Sequence, residues 1–281
     1  MTRLEILSPK VDFVFKRIFG NENNPRILIS FLNATLKAKK KIVNVDIKKT
    51  DIEKQYIEDK YSRLDVKATT SNDEIINIEI QLKNENNMVK RSLYYLSKMY
   101  EEQLNGKEDY SKLVRTVCIN ILNFKYLKTD NFHTGYRFKE IESNEELTDI
   151  MEVHFIEIPK LQDSSDEKDM LVAWTEFLKD PESEKVRGLE LSIEEIRQAK
   201  DELIRMSNDS TQRELYDMRA NSLRDKMSEL NAAERKGIEK GREEGRKEEK
   251  IKIARNMKLS GLDTNTIAKV TNLSEDEIDK L

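Results

Sequence analysis

The chain has 281 residues, 37% of them hydrophobic and 37% charged, with a formal net charge of −4. That length suits one large domain or two small ones, and so high a charge content calls for long exposed helices beside a globular core. Two histidines and one cysteine leave a zinc site short of ligands, and no apolar run approaches the roughly 20 residues of a membrane helix. The charge is uneven. Residues 1–60 carry 13 Lys/Arg against 8 Asp/Glu, residues 140–180 carry 3 against 13, and residues 236–258 carry 9 against 5. A nucleic acid would therefore have to approach locally basic surfaces and avoid the acidic middle. Glu5 and Pro9 interrupt the apolar start, so no secretory leader is expected and the protein is expected in the cytoplasm.

Ser8 and Pro9 suit the N-cap and first position of a helix, on which Val11, Val14, Phe15, Ile18 and Phe19 share one face before Gly20. Asp12 lies on the opposite side near Lys16 and complements the helix N-terminus. Asn24 and Pro25 start a second helix with Ile27, Leu28, Phe31, Leu32 and Leu36 inward. The following basic run, residues 37–41, reads as a solvated connection or a phosphate-steering patch. Residues 42–47 read as a strand.

Residues 61–69 and 74–82 each alternate, and Ser71, Asn72 and Asp73 between them are turn formers. In the second run Ile76, Ile78, Ile80 and Leu82 share one face, and Asn77, Glu79 and Gln81 the other. If the two strands pair, Asp65 comes close to Glu79 and Gln81. Two neighbouring carboxylates need solvation, a proton or a cation. Hard oxygen ligands at that spacing suit Mg²⁺, which takes one or two carboxylates and keeps waters and substrate oxygens. The bland reading is two unrelated acids on a solvent-facing sheet side.

Residues 88–104 read as a helix on which Arg91 and Tyr95 lie four residues apart. The Arg91 fork matches phosphate oxygens, or simply pairs with Glu102 or another acid of the helix surface. Tyr94 and Tyr95 suit packing. Residues 114–124 form a near-continuous apolar strand that contains Cys118, as in the middle of a covered sheet. His133 falls in a polar stretch with no partner evident. Residues 151–158 alternate as another strand, with His154 and Glu152 expected toward solvent. The core is expected to end at a polar linker, residues 162–168. Beyond it Met170, Leu171, Trp174, Phe177 and Leu178 form a helical stripe with Trp174 as packing anchor, and Ser192 to Glu195 reads as a capping box. Residues 211–258 read as one long charged helix. Gly237, Gly241 and Gly245 on it mark a close helix approach or a frayed segment, each costing roughly 1 kcal/mol against Ala. The last stretch reads as a short helix-turn-helix, with Thr264 capping its first helix. Its second helix would carry Glu275, Asp276, Glu277 and Asp279, which favours protein contact or self-association over base readout.

An Asp, a hairpin and then Glu-x-Lys is the signature of the PD-(D/E)XK nuclease superfamily, and Asp65 with Glu79-Ile80-Gln81 resembles its Gln variant. The opening Pro9-Lys10-Val11-Asp12-Phe13-Val14-Phe15-Lys16-Arg17-Ile18-Phe19-Gly20, the Arg63-Leu64-Asp65-Val66 strand, the Tyr94-Tyr95 helix and the Gly-spaced basic tail narrow this. Together they resemble the recombination-promoting nuclease (Rpn) family of transposase-type proteins. The resemblance implies an α/β fold: a mixed-sheet PD-(D/E)XK core flanked by helices, followed by a helical C-terminal region. Residues 1–162 would form the core, 163–235 a helical region packing on or extending from it, and 236–281 the charged helix and tail.

The activity implied is that of a metal-dependent DNA endonuclease. Asp65, Glu79 and the Ile80 carbonyl would hold Mg²⁺, with Mn²⁺ as substitute, and Asp65, Glu79 and Gln81 would be catalytic. Gln81 lacks the charge of the usual Lys, which Lys67, Lys83 or Arg91 would supply; a first-helix acid such as Asp12 sometimes joins the site. DNA and further copies of the chain are the expected partners, with no membrane. The competing expectation is an inactive nuclease-like fold serving assembly or DNA binding.

Overall fold

The computed structural model describes residues 6–38, 40–48, 66–166 and 168–281. Two compact units are distinguished, Met1–Ala220 and Asn221–Leu281.

Among the described residues the first unit is built on a six-stranded mixed sheet of β1 (Val45–Lys48), β2 (Val66–Thr70), β3 (Ile75–Gln81), β4 (Thr116–Leu122), β5 (His133–Lys139) and β6 (Glu146–Glu157), in the order β1-β2-β3-β4-β6-β5. The β2–β3 hairpin is antiparallel, with Val66 opposite Ile78 and Lys67 opposite Asn77. Asp73 closes its turn at φ 59°, the left-handed region that Asp tolerates. β3, β4 and β6 run parallel. The chain passes from β3 to β4 through helix α3 (Met88–Glu101), and from β4 to β6 through the antiparallel edge strand β5.

The alternation in β3 sorts the two faces of the sheet. Ile76, Ile78 and Ile80 join Val117, Ile119 and Ile121 under helices α1 (Asp12–Phe19), α2 (Arg26–Leu36), α4 (Met170–Lys179), α5 (Glu184–Ser192) and α6 (Glu194–Asn208). Cys118, Leu122, Val153 and Phe155 face the other way and pack on Met88, Tyr95, Leu96 and Met99 of α3. Trp174 is fully buried, and its indole N–H donates to Ser30 Oγ at 3.1 Å. Glu79 lies on the α3 side.

Helix α7 (Ser210–Leu259) is continuous through Gly237, Gly241 and Gly245, and among the described residues nothing lies within 4 Å of a Cβ built at these glycines. The second unit combines the C-terminal part of α7 with α8 (Thr264–Thr271) and α9 (Glu275–Asp279). Its small core is Ala254, Ile267, Leu273 and Ile278. Asn272 turns between α8 and α9 at φ 53°, and Ser274 with Glu277 forms a reciprocal capping box. Lys258 Nζ donates to the Ile278 and Asp279 carbonyls at 2.9 and 3.1 Å.

Several local expectations need correction. The helix expected from Ser8 and Pro9 begins at Asp12, because those residues form a preceding turn in which the Ser8 carbonyl accepts from the Val11 amide. Ser192 is the last residue of α5, with its hydroxyl bonded to the Leu189 carbonyl, so it caps nothing; Ile193 precedes α6 without a side-chain cap. Asp263, rather than Thr264, caps α8 by accepting from the Thr266 amide at 3.0 Å. His154 and Glu152 are buried, not solvent-facing, because α-helices cover that face of β6. The edge strand β5 begins in the polar stretch around His133; its pairing with β6 comes from tertiary context.

Candidate active site

Glu79 is 1% exposed in the middle of the sheet, a position at which a lone carboxylate is costly. Its partners come from two elements. Gln81, two residues along β3 and on the same face, donates from Nε2 to Glu79 Oε1 at 3.0 Å. Arg91, in the first turn of α3, donates from Nε to the same oxygen at 3.1 Å and from a terminal nitrogen as well. The Arg91 guanidinium carbon also lies 5.0 Å from the Tyr95 ring centre, within cation–π range. Burial opposes the charge on Arg91, but the hydrogen bond and charge of Glu79 outweigh it and leave Arg91 above its ordinary pKa.

The placement of Arg91 depends on α3 being fixed against the sheet. Ser92 donates to the Met88 carbonyl at 2.7 Å, and its Oγ lies 2.9 Å from Asn120 Oδ1. Asn120 stands opposite Glu79 in the parallel β3–β4 register and donates to the His154 carbonyl at 3.1 Å. Sequence reasoning passed over both residues. Their signal was available, since Asn120 is a lone amide inside an apolar run, but only the fold shows that it faces α3.

The remaining candidates are dispersed. Asp65 lies outside the described residues. Ile80 carries its side chain into the opposite core, so only its backbone could serve the Glu79 side. Lys67 lies opposite Asn77 with its ammonium 3.9 Å from Glu102, so it pairs with the acid that the sequence had offered as one partner for Arg91. Lys83 follows β3, half-buried. Asp12 belongs to α1, under the opposite face of the sheet, and meets Arg219 of α7 at 3.5 Å. Tyr95 is buried, whereas Tyr94 is 54% exposed. The structure thus brings Glu79, Gln81 and Arg91 together and sets Asp12 apart.

A second polar network is buried under β5 and β6. His133 Nε2 and His154 Nδ1 are 2.9 Å apart with their rings stacked, and His154 Nε2 meets Glu152 Oε1 at 2.7 Å. Glu152 also pairs with Arg115 and Arg137, and Arg115 with Glu74. Burial and the neighbouring His154 push the His133 pKa down to about 4. Burial would raise Glu152, yet the hydrogen bonds of His154 and Arg115 hold it at about 2. Among the described residues no group of three or more His, Cys, Asp or Glu is arranged to hold a metal ion.

Among the described residues the Glu79 side offers a hard divalent cation one buried carboxylate. Gln81 turns its amide Nε2 toward that carboxylate, and Arg91 places a cationic group on the same Oε1. No helix among the described residues is long and apolar enough to cross a membrane.

Comparison with known families matches residues 9–233 to a model described as "PD-(D/E)XK nuclease family transposase" and residues 247–281 to one described as "Rpn/YhgA-like nuclease family, C-terminal HTH domain". No curated protein and no solved structure matches the chain.

Proposed function

The chain belongs to the PD-(D/E)XK nuclease family of transposase type, with an Rpn/YhgA-like C-terminal HTH domain, and from that premise we propose that it is a metal-dependent DNA endonuclease. The observation that carries the reading is the buried Glu79 carboxylate, met by both Gln81 and Arg91.

Glu79 and Asp65 would hold Mg²⁺ or Mn²⁺, with the Ile80 carbonyl as a further oxygen. Asp65 directly precedes Val66, and Val66 stands opposite Ile78, the neighbour of Glu79. The ion, when bound, lowers the pKa of a water and offsets charge on the phosphate. Gln81, whose Nε2 donates to Glu79, would orient a water there through a neutral hydrogen bond. Arg91 supplies the positive charge that Gln81 lacks, and its planar fork suits a phosphate better than a lysine ammonium would. Lys67 and Lys83 are auxiliary cations along the same strands.

DNA is the proposed substrate, and the protein is proposed to act in the cytoplasm. The C-terminal region serves self-association. Four acids, Glu275, Asp276, Glu277 and Asp279, crowd α9 and would repel a phosphate backbone. The open Gly237, Gly241 and Gly245 face of α7 leaves room for a second helix.

Purified protein is incubated with plasmid DNA and Mg²⁺, Mn²⁺ or chelator, beside Asp65→Ala and Glu79→Ala. Cleavage that requires the ion and disappears in both variants supports the reading. Cleavage that survives either change overturns the site. Folded protein that neither cuts nor gains thermal stability from the ion is an assembly module instead, a reading to which the acidic α9 already lends weight.

A further inference from the structure

Glu79 is asked to do two things that conflict. Under the proposed function it holds a divalent ion, yet in this structure its Oε1 takes two donors from Arg91 and one from Gln81. Arg91 in turn spends its fork on Glu79, although the same fork is the group best suited to a phosphate. Its side chain is 21% exposed, against 2% for Glu79, so of the two partners the arginine is the one in reach of solvent. The guanidinium already lies over the Tyr95 ring, 5.0 Å from its centre, a second contact besides Glu79.

We propose that Arg91 is an exchangeable latch: it neutralises Glu79 in the metal-free protein, and metal binding at Glu79 displaces it onto a phosphate of the DNA. The proposal rests on the nuclease reading and adds a regulation to it. Each part has a physical cause. An ionised Glu79 in the sheet interior without a partner would be strongly destabilising, so the empty site needs a cation of its own. A divalent ion on the same carboxylate repels the guanidinium and removes its main attraction, at a separation where Coulomb energies inside a protein are large. Tyr95 then retains the stem and face of Arg91 while the fork turns outward. Metal and DNA binding become positively coupled, because the ion releases the group that DNA uses.

The coupling predicts signs that a merely structural ion pair would not give. With the full chain, Arg91→Gln should bind Mn²⁺ and Mg²⁺ roughly tenfold more tightly in calorimetry, the equivalent of removing about one competing charge-assisted hydrogen bond. Arg91→Lys, which keeps the charge, should stay within about threefold of the wild type and guards against loss of folding in the first variant. In chelator, Glu79→Ala should raise affinity for a labelled duplex oligonucleotide, read by fluorescence anisotropy, and Arg91→Gln added to it should cancel the gain. Equal or weaker metal binding by Arg91→Gln overturns the latch and leaves the nuclease intact. So does a DNA-affinity gain that persists in the double variant, since it then reflects only the lost negative charge. A wild type that binds neither ion overturns the latch and the nuclease reading together.

Discussion

Acidification from pH 7 to pH 5 tests the buried histidine pair. His133 has a pKa of about 4 in the folded chain against 6.5 as a free side chain, because burial and His154 both disfavour its charged form. His133 has only to offer one ring nitrogen to His154 Nδ1, and His154 Nε2 meets Glu152, so the network is complete with His133 uncharged. Its folded pKa is depressed, so its contribution to stability is whole above pH 6.5 and is lost as pH falls toward 4. At pH 5 the unfolded chain has taken up nearly a full proton at this residue and the folded chain almost none. Linkage then gives a loss of about 1–2 kcal/mol, allowing for partial solvent screening at a half-buried site. Urea titrations followed by fluorescence of Trp174, the only tryptophan, would read it. His133→Gln keeps a donor toward His154 and removes the titration, so its stability should change correspondingly less between pH 6.5 and 4. Parallel curves for the two proteins would refute the assignment. Glu152 acts in a lower window: its stabilisation is present above pH 4.5 and lost as pH falls through about 2.

Trp174→Ala should cost about 3–5 kcal/mol in denaturant titration followed by circular dichroism, since the side chain is fully buried and its N–H is bonded; a loss under about 1 kcal/mol would contradict its role as anchor. Asp263→Ala should destabilise the second unit by about 1 kcal/mol, visible as faster hydrogen exchange of α8 amides, because it removes the helix cap. Cys118 should resist iodoacetamide at mildly alkaline pH and react only after unfolding, since burial lifts its pKa to about 12.

What the sequence by itself determined was whatever depends on short-range period and turn chemistry. Ile76, Ile78 and Ile80 at alternate positions specify a strand and its inward face, Ser71 to Asp73 specify the turn, and the charged run from residue 211 specifies a long helix, because backbone geometry sends neighbouring side chains to known sides. Glu79 and Gln81 on one face followed from the same rule. Capping was less legible: Ser192 and Thr264 have the right chemistry one residue from where the cap is needed, and neighbours in space set the helix ends. Only the tertiary structure decided who meets whom across elements. The first turn of α3 delivers Arg91 to Glu79 rather than to Glu102, and Asn120 turns toward Ser92. β5 pairs at the sheet edge and carries His133 to His154, so two histidines 21 positions apart become one buried network. Such pairings depend on strand order and helix docking, which arise from burying whole apolar faces, and no local pattern encodes the partner a polar side chain then meets.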